Sequence, residues 1–449
     1  MSLIDKIAEA GVVGAGGAGF PTHVKYGAEA EYFIINGAEC EPLLMTDKFL
    51  MRSFAAEILE AIDEVAKIVG ADKVVFALKK KYTEELACLK RIRDENNYDI
   101  EFFLMESYYP AGDEQVMVYE ITGRTVPEGG IPLHVGAVVS NVGTLYNVYR
   151  AIRADKAVTD KYVSVLAEVN KPRIVKVPIG TSINECIEAA GGSTLDEYAV
   201  IIGGPMMGEN LVEEEAINQA VITKTAGSII ILPKKQFVIE MNQQSMEHIK
   251  NKAEAACIQC TFCTEYCPRY LIGHENLEPH RIMRALAYEK EDNTDIFKTA
   301  QLCCECGICE LYACPMGLSP RLVNVYYKQK IDEKYETDKD EFKPHIMQEY
   351  RKIPTDRQIA RLNLSKYNHQ ELHEPVEIEV DKVKIPLNQH IGAPAELIVS
   401  EGQTVERGQK IAKIRENALG ANIHASISGK VIKADDNQVI ISGSAEVVS

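Results

Sequence analysis

The sequence predicts a multidomain protein of mixed α/β and α+β class. Three observations lead there. Strands and helices alternate over residues 1–150, the texture changes to short β-rich pieces near Tyr162, and nine of the 12 cysteines fall in a helical stretch between Cys257 and Cys314. A chain of 449 residues has room for about three domains of roughly 150 residues. Hydrophobic residues make up 46% and charged residues 26%, which suits globular protein and is too apolar for a disordered chain.

The elements follow in order. Leu3, Ile4, Ile7 and Ala8 form one face of an opening helix that Gly11 stops. A glycine-rich loop, Gly14-Ala-Gly-Gly-Ala-Gly-Phe20, comes next. Tyr32–Asn36 reads as a buried strand, 54–69 as a helix, and Val74–Leu78 as a second strand. Ile100–Met105 and Val135–Ser140 are further strand candidates, so a mostly parallel sheet is expected. From Tyr162 the strands Tyr162–Val169, Arg173–Val177, Ala199–Ile202 and Ser228–Leu232, with one helix at Ile183–Ala190, suggest a small α+β module. Residues 245–330 read as helical. Residues 331–380 are polar, charged and poor in apolar periodicity, and read as a tether or wrap. In the last 70 residues, turn-forming Gly402, Gly408, Gly420 and Gly429 recur at hairpin intervals.

Composition excludes several functions. No stretch reaches the roughly 18 consecutive apolar residues of a membrane helix, and the N-terminal residues show no secretory signal. Lys plus Arg total 49 against 66 Asp plus Glu, a net charge of −17, which argues against a general binder of nucleic acid or anionic membrane. Clustered thiols without an export signal point to metal ligation in the reducing cytosol rather than to disulfides.

The cysteine runs are Cys257-x2-Cys260-x2-Cys263-x3-Cys267-Pro268 and Cys303-x2-Cys306-x2-Cys309-x4-Cys314-Pro315. Three thiolates at a spacing of three converge on three corners of an iron–sulfur cube, and the fourth, before Pro, reaches across to the other cluster. One [4Fe–4S] cluster is therefore assigned to Cys257, Cys260, Cys263 and Cys314, the other to Cys303, Cys306, Cys309 and Cys267. Structural zinc, the competing reading, uses two C-x2-C pairs on a longer loop. Cys304 is a spare thiol, and Cys40, Cys88 and Cys186 read as packing residues.

Gly14-x-Gly16-x-x-Gly19 has the spacing of a dinucleotide fingerprint, with Glu39 further on. That fingerprint needs a strand before it and a helix after it. Here a helix precedes and Phe20-Pro21 follows, so an ordinary Rossmann reading fails, while a phosphate-cradling loop remains open. Asn36-Gly-Ala-Glu-Cys-Glu-Pro42, Tyr109-Pro-Ala-Gly-Asp-Glu114 and Ser140-Asn-Val-Gly-Thr144 all place polar side chains at predicted strand ends. That is where α/β sheets bind ligands. Glu39, Glu41, Asp113 and Glu114 could accept hydrogen bonds from ribose or ribityl hydroxyls; as solvated loop charges they would do nothing.

Gly14-Ala-Gly-Gly-Ala-Gly-Phe-Pro-Thr-x-x-Lys25 resembles the flavin loop of the NADH-binding flavoprotein subunit of respiratory complex I. That family has Arg where this chain has Ala15, so an Arg contribution is missing there. The segments holding Asn36, Glu39 and Glu41, then Gly112, Asp113 and Glu114, then Asn141 and Thr144 are similar to its other ligand loops. The resemblance implies a Rossmann-like domain holding FMN through these residues together with Gly14, Gly16, Gly17, Phe20 and Lys25, with NADH stacking near Phe20.

Two families share this core and add a two-cluster ferredoxin segment: the C subunit of the Rnf electron-transport complex and the cobalamin reductases of propanediol-utilisation microcompartments. Gly203-Gly-Pro-Met-Met-Gly208 resembles part of a β-grasp module of the soluble-ligand-binding (SLBB) kind. Gln389-His-Ile-Gly-Ala-Pro394, Val405-Glu-Arg-Gly-Gln409 and His424-Ala-Ser-Ile-Ser-Gly429 resemble a barrel-sandwich hybrid domain. In the Rnf protein that domain opens the chain; here it closes it, as in the cobalamin reductases. Glu416-Asn-Ala-Leu-Gly-Ala-Asn422 lacks the Lys of a biotin or lipoate carrier, and His390 and His424 read as structural.

The expected layout is FMN/NADH domain 1–158, β-grasp domain 159–240, ferredoxin domain 245–330, tether 331–380 and barrel-sandwich domain 381–449. The resemblance implies an NADH-dependent reductase that passes electrons through FMN and two [4Fe–4S] clusters to a corrinoid or a corrinoid-handling protein. The setting implied is cytoplasmic, inside a microcompartment with its shell or cargo proteins, with no membrane span. The alternative is an Rnf-like electron relay docking to a membrane complex. Hydride transfer itself needs no general acid or base, so no catalytic residue is named. Crossed ligation makes a prediction: Cys267→Ala should abolish the cluster built mainly by the second run, read as loss of one of two electron-paramagnetic-resonance (EPR) signals and about half the iron. Loss of the first-run cluster alone contradicts the assignment.

Overall fold

The computed structural model describes residues 1–288, 294–337, 339 and 341–443. Small parts of the expected ferredoxin domain (289–293), tether (338 and 340) and barrel-sandwich domain (444–449) lie outside the described residues. Its first sheet is wholly parallel, with strand order β3-β2-β1-β5: β1 Tyr32–Gly37, β2 Lys73–Lys79, β3 Glu101–Met105 and β5 Ala137–Asn141. The apolar run of β1 makes sense at the centre of such a sheet. Phe33 and Ile35 pack into one core with helix Ala55–Val69, while Tyr32 and Ile34 pack into a second core on the opposite face. Burial of each of these side chains stabilises by roughly 1.5–3 kcal/mol. The chain leaves β1 for β2 on one side and returns through β5 on the other. The gap between the carboxyl ends of β1 and β5 is thus the topological switch point, where such sheets take ligands.

The glycine loop is not strand–turn–helix. Helix Leu3–Glu9 precedes it, Val13 bridges Pro21, and Gly14 N donates to the Phe20 carbonyl at 2.9 Å. It is a closed loop lying across the switch point.

The second sheet is six-stranded, order β12-β7-β6-β10-β8-β9, with β6 Asp160–Ala167, β7 Arg173–Pro178, β8 Ala199–Ile202, β9 Glu209–Leu211, β10 Ser228–Leu232 and β12 His373–Glu377. Helix Ile183–Ala189, closed by a Ser182–Glu185 capping box, covers one face. The cysteine-bearing part is built on helices Met246–Ala256, Pro279–Tyr288 and Pro320–Lys330 around Ile249, Leu277, Ile282, Leu286 and Val323. The chain then ends in two small antiparallel sheets facing one core of Val383, Ile385, Ile411, Ile423, Val431, Val439 and Ile441.

Residues 331–380 carry more structure than a tether. Strand β11 (Ile353–Pro354) pairs with β4 (Tyr108–Tyr109), and β12 runs parallel to β7 as an edge of the second sheet. Hydrophobic periodicity missed both because β11 has only two residues and the side chains of β12 are almost all exposed. A single lysine joins three modules: the buried Lys224 Nζ donates to the carbonyls of Gly11 and Asn422, each at 2.6 Å. His390, expected as structural, accepts at Nε2 from Ala421 N at 3.1 Å. No helix among the described residues is long and apolar enough to cross a membrane.

Glu168 ties the 331–380 segment to the second sheet. Its carboxylate accepts from Thr194 Oγ1 at 2.6 Å, from Tyr367 OH at 2.7 Å and from Lys366. These bonds, Lys366 first, hold its pKa down at about 2. The folded value lies below the unfolded one, so the contribution is complete above the ordinary carboxylate range and is lost as pH falls toward 2. Lys366 is 72% exposed, which limits the gain to about 1 kcal/mol. Glu168→Gln should therefore reduce hydrogen-exchange protection of amides 364–373 about fivefold at pH 7, with the difference shrinking as pH falls below 4; unchanged protection contradicts this role.

Candidate functional site

A cleft of about 580 Å³ opens at the switch point. Its floor is the glycine loop. Ala15 N donates to Thr144 Oγ1 at 2.9 Å, and Lys161 Nζ, from β6, reaches the Ala15 carbonyl at 3.3 Å. Asn141, at the end of β5, packs on Gly16, where an added Cβ would lie 2.7 Å from Asn141 Nδ2. Only glycine lets the loop approach that closely. The same Nδ2 donates to Asp47 Oδ2 at 2.7 Å, and Asn141 Oδ1 accepts from Gly143 N at 2.8 Å.

The end of β1 supplies the wall. Asn36 Nδ2 donates to the Gly112 carbonyl at 2.9 Å, joining two of the segments singled out in the sequence. Glu39 stands at φ +30°, and its Oε2 accepts from Asp47 N at 2.9 Å. Burial, then the neighbouring Asp47 carboxylate, pushes Glu39 up to about 8, and burial pushes Asp47 up to about 6. Two adjacent buried carboxyls cannot both ionise cheaply, so the pair retains a proton near neutrality. Burial also pulls Lys161 and Lys79 down to about 8. Lys79 Nζ donates to the Glu39 carbonyl at 3.1 Å, which secures the unusual backbone there.

Glu41 turns the other way. Its Oε2 accepts from Met206 N at 2.9 Å, and burial pushes it up to about 7. A Cβ on Gly204 would sit 2.3 Å from this carboxylate, so the Gly203–Gly208 loop can close over Glu41 only because position 204 is glycine. Tyr109, almost fully buried, donates from its hydroxyl to the Cys306 carbonyl at 2.9 Å. That bond fastens the cleft wall to the second cysteine run, and Cys304 and Cys306 themselves line the cleft.

The thiols fall into two neighbouring groups. Cys263 has Cys314, Cys257 and Cys260 as its charge neighbours. Cys306 has Cys304, Cys267 and Cys309, and Cys309 has Cys303, Cys263 and Cys267. Backbone amides already point at sulfur: Glu305 N donates to Cys303 Sγ and Leu318 N to Cys314 Sγ, both at 3.3 Å. Burial raises Cys263 to about 12 and Cys303 to about 11, so these thiols ionise readily only when a metal centre takes the charge. Among the described residues no three His, Cys, Asp or Glu side chains close on one metal ion. A four-iron core instead takes each thiolate on a different iron, and all-cysteine donor sets, here partly to fully buried, suit it.

Of the residues singled out in the sequence, Gly16, Gly17, Asn36, Glu39, Glu41, Gly112, Asp113 and Asn141 line the cleft. Gly14, Phe20, Lys25, Glu114 and Thr144 are not among its lining residues. Gly14 and Phe20 close the loop, and Thr144 holds Ala15. Lys25 Nζ is engaged by Glu114 Oε1 at 2.7 Å and the Val139 carbonyl at 3.0 Å. Sequence reasoning missed Asp47, Tyr109 and Lys161 in the lining, and Arg269, which joins the site through a 2.8 Å bond from its Nη2 to Asp113 Oδ2. Tyr109 begins a segment conspicuous for its acids; the other three carry no motif, since each reaches the site from a different part of the chain.

Similarity to known proteins follows the same division of the chain. Residues 7–150 match the Nuo51 FMN-binding domain, 162–210 the SLBB domain, 256–319 the 4Fe-4S dicluster domain and 364–448 the RnfC barrel sandwich hybrid domain. Flavin and iron–sulfur cofactors therefore belong to this chain's architecture, and the mixed α/β class expected from sequence stands. The chain is 38% identical over 446 residues to cobalamin reductase PduS of Citrobacter freundii, covering 98% of this chain and 96% of that protein. It is 39% identical over 437 residues to cobalamin reductase PduS of Salmonella typhimurium, covering 97% and 95%. The C subunit of the ion-translocating oxidoreductase complex of Actinobacillus succinogenes is 33% identical over 278 residues, covering 61% of this chain and 37% of that protein. By identity sustained over nearly its whole length, the chain belongs to the PduS cobalamin reductase family.

Proposed function

We propose that the protein is an NADH-dependent reductase that delivers electrons to a corrinoid. The observation that carries this reading is the shared wall. The cleft at the switch point and the second thiol group are separated by no intervening layer, because Cys304 and Cys306 line the cleft themselves. A flavin bound in the cleft supplies the exchange between the two electrons of a hydride and the single electrons that iron–sulfur centres accept.

The chain's own residues set the conditions for that exchange. Gly16 and Gly17 let a planar or phosphorylated ligand approach the backbone, and Asn36, Glu39, Asp113 and Asn141 offer hydrogen-bonding groups to its hydroxyls. The Glu39–Asp47 pair stores a proton beside the ligand. Cys267, Cys303, Cys306 and Cys309 are proposed as ligands of the cluster nearer the cleft, and Cys257, Cys260, Cys263 and Cys314 of the farther one. The second set is the outer one: Cys257, Cys260 and Cys263 are partly exposed, and Ile258 and Phe262 beside them are 62% and 42% exposed. Electrons leaving the molecule are proposed to depart there, toward a corrinoid or a corrinoid-handling protein within a microcompartment.

The match of the C-terminal domain to the RnfC model supports a second reading, an electron relay docked to another redox protein. One experiment separates them. Purified anaerobically with its cofactors, the protein should bleach its flavin with NADH and reduce cob(III)alamin without any partner, followed by the corrinoid spectrum. Flavin bleaching with no corrinoid reduction, but with reduction of a protein acceptor, favours the relay.

A further inference from the structure

Arg269 is 8% exposed and follows directly on Cys267-Pro268. Its Nη2 donates to Asp113 Oδ2 at 2.8 Å. The other oxygen of Asp113 accepts from Gln115 N and Val116 N at 3.0 and 3.1 Å, as the N-cap of helix Glu114–Thr122. Asp113 is therefore fixed on the cleft side, and its charge is already drawn on by two amides. Arg269 Nη1 is buried with no hydrogen-bond partner of regular geometry. After Asp113, the groups acting most strongly on the guanidinium are the thiols of Cys304 and Cys267.

A buried cation so placed is not fully neutralised by its one carboxylate. The pair is a dipole across the wall, negative toward the cleft and positive toward the second thiol group. Adding an electron to a cluster adds one negative charge, and in a low-dielectric interior a neighbouring cation makes that addition cheaper. Nothing about fold stability requires the device: replacing a buried ion pair by well-packed apolar groups is often neutral.

We propose that the buried Arg269–Asp113 pair sets the reduction potential of the cluster held by Cys267, Cys303, Cys306 and Cys309, making it the acceptor for electrons leaving the cleft. The inference rests on the reading that those four thiols hold a [4Fe–4S] cluster. Arg269 acts through the cluster's electrostatic surroundings; it is a positioning residue and touches no substrate.

The test is an anaerobic EPR titration of the cofactor-loaded protein, with dithionite supplying one electron per cluster. The second-group signal is identified by its loss in Cys306→Ala. Arg269→Gln should move that midpoint to more negative potential, and Asp113→Asn should move it to more positive potential. Arg269→Lys should lie nearer the parent, and the first-group midpoint should stay put throughout. Opposite shifts from the two halves of one ion pair are a signature that a purely structural contact cannot give. Unmoved midpoints, shifts of the same sign in both variants, or equal shifts of both clusters overturn the proposal. If Arg269→Gln fails to fold, Asp113→Asn decides by itself, a positive shift supporting the proposal and any other result opposing it. A parent protein that lacks iron and labile sulfide overturns the cluster reading and this inference together, whereas a two-cluster parent with unmoved variants overturns the inference alone.

Discussion

Tyr109 stands where the parallel sheet, the cysteine-bearing helices and the 331–380 segment meet, and its hydroxyl has one strong partner, the carbonyl of Cys306. A buried phenol must find an acceptor, and this one finds it on the backbone of a cysteine loop. The backbone of Tyr109 is held in turn by pairing with Ile353. Its hydroxyl also lies 3.5 Å from Glu41 Oε1, and Glu41 bonds the Gly203–Gly208 loop. One small polar junction therefore ties together the cleft at the switch point, the Gly203–Gly208 loop and the second cysteine run. Around it the Tyr109 ring packs into one apolar cluster with Ile201, Met206 and Ile230 of the second sheet module, Ile308 and Leu311 of the second cysteine run, and Ile353 and Leu362 of the 331–380 segment, so the polar junction is seated in a shared core.

Electrostatics at this junction runs against the character of the whole chain. The protein carries a net charge of −17, yet Lys79, Lys161, Lys224 and Arg269 are buried or nearly so around or behind the cleft. Desolvation lowers the lysines toward neutrality, with Lys79 and Lys161 at about 8, while it raises Glu39 and Glu41. Several groups of the site thus change protonation near pH 7, while Arg269 keeps its charge.

Much of this was legible in the sequence where local pattern and local chemistry coincide. The unbroken apolar run of β1 announced a buried strand, and the thiol spacing announced the dicluster domain that matches residues 256–319. The Gly14–Gly19 loop was legible as a cradle and also as a departure from strand–turn–helix context, because the residues before it have helical periodicity. What stayed hidden is tertiary. Lys161 belongs to the second sheet and reaches the glycine loop; Arg269 carries only a neighbouring Cys-Pro; β11 is two residues long, and β12 buries almost none of its side chains. Lys25 and Glu114, singled out from their motif positions, are joined to each other at 2.7 Å, a pairing between two distant segments that no local pattern announces.

The shared wall is open to direct inspection. Diffraction data collected at the iron edge from anaerobic crystals of the flavin-loaded protein locate every iron independently of any spectroscopic assignment. Two compact iron peaks are expected, one ringed by Cys267, Cys303, Cys306 and Cys309 against the cleft, the other by Cys257, Cys260, Cys263 and Cys314 nearer the surface. A first-run cluster beside the flavin, or a single metal ion in either thiol group, would contradict the arrangement on which the proposed function depends.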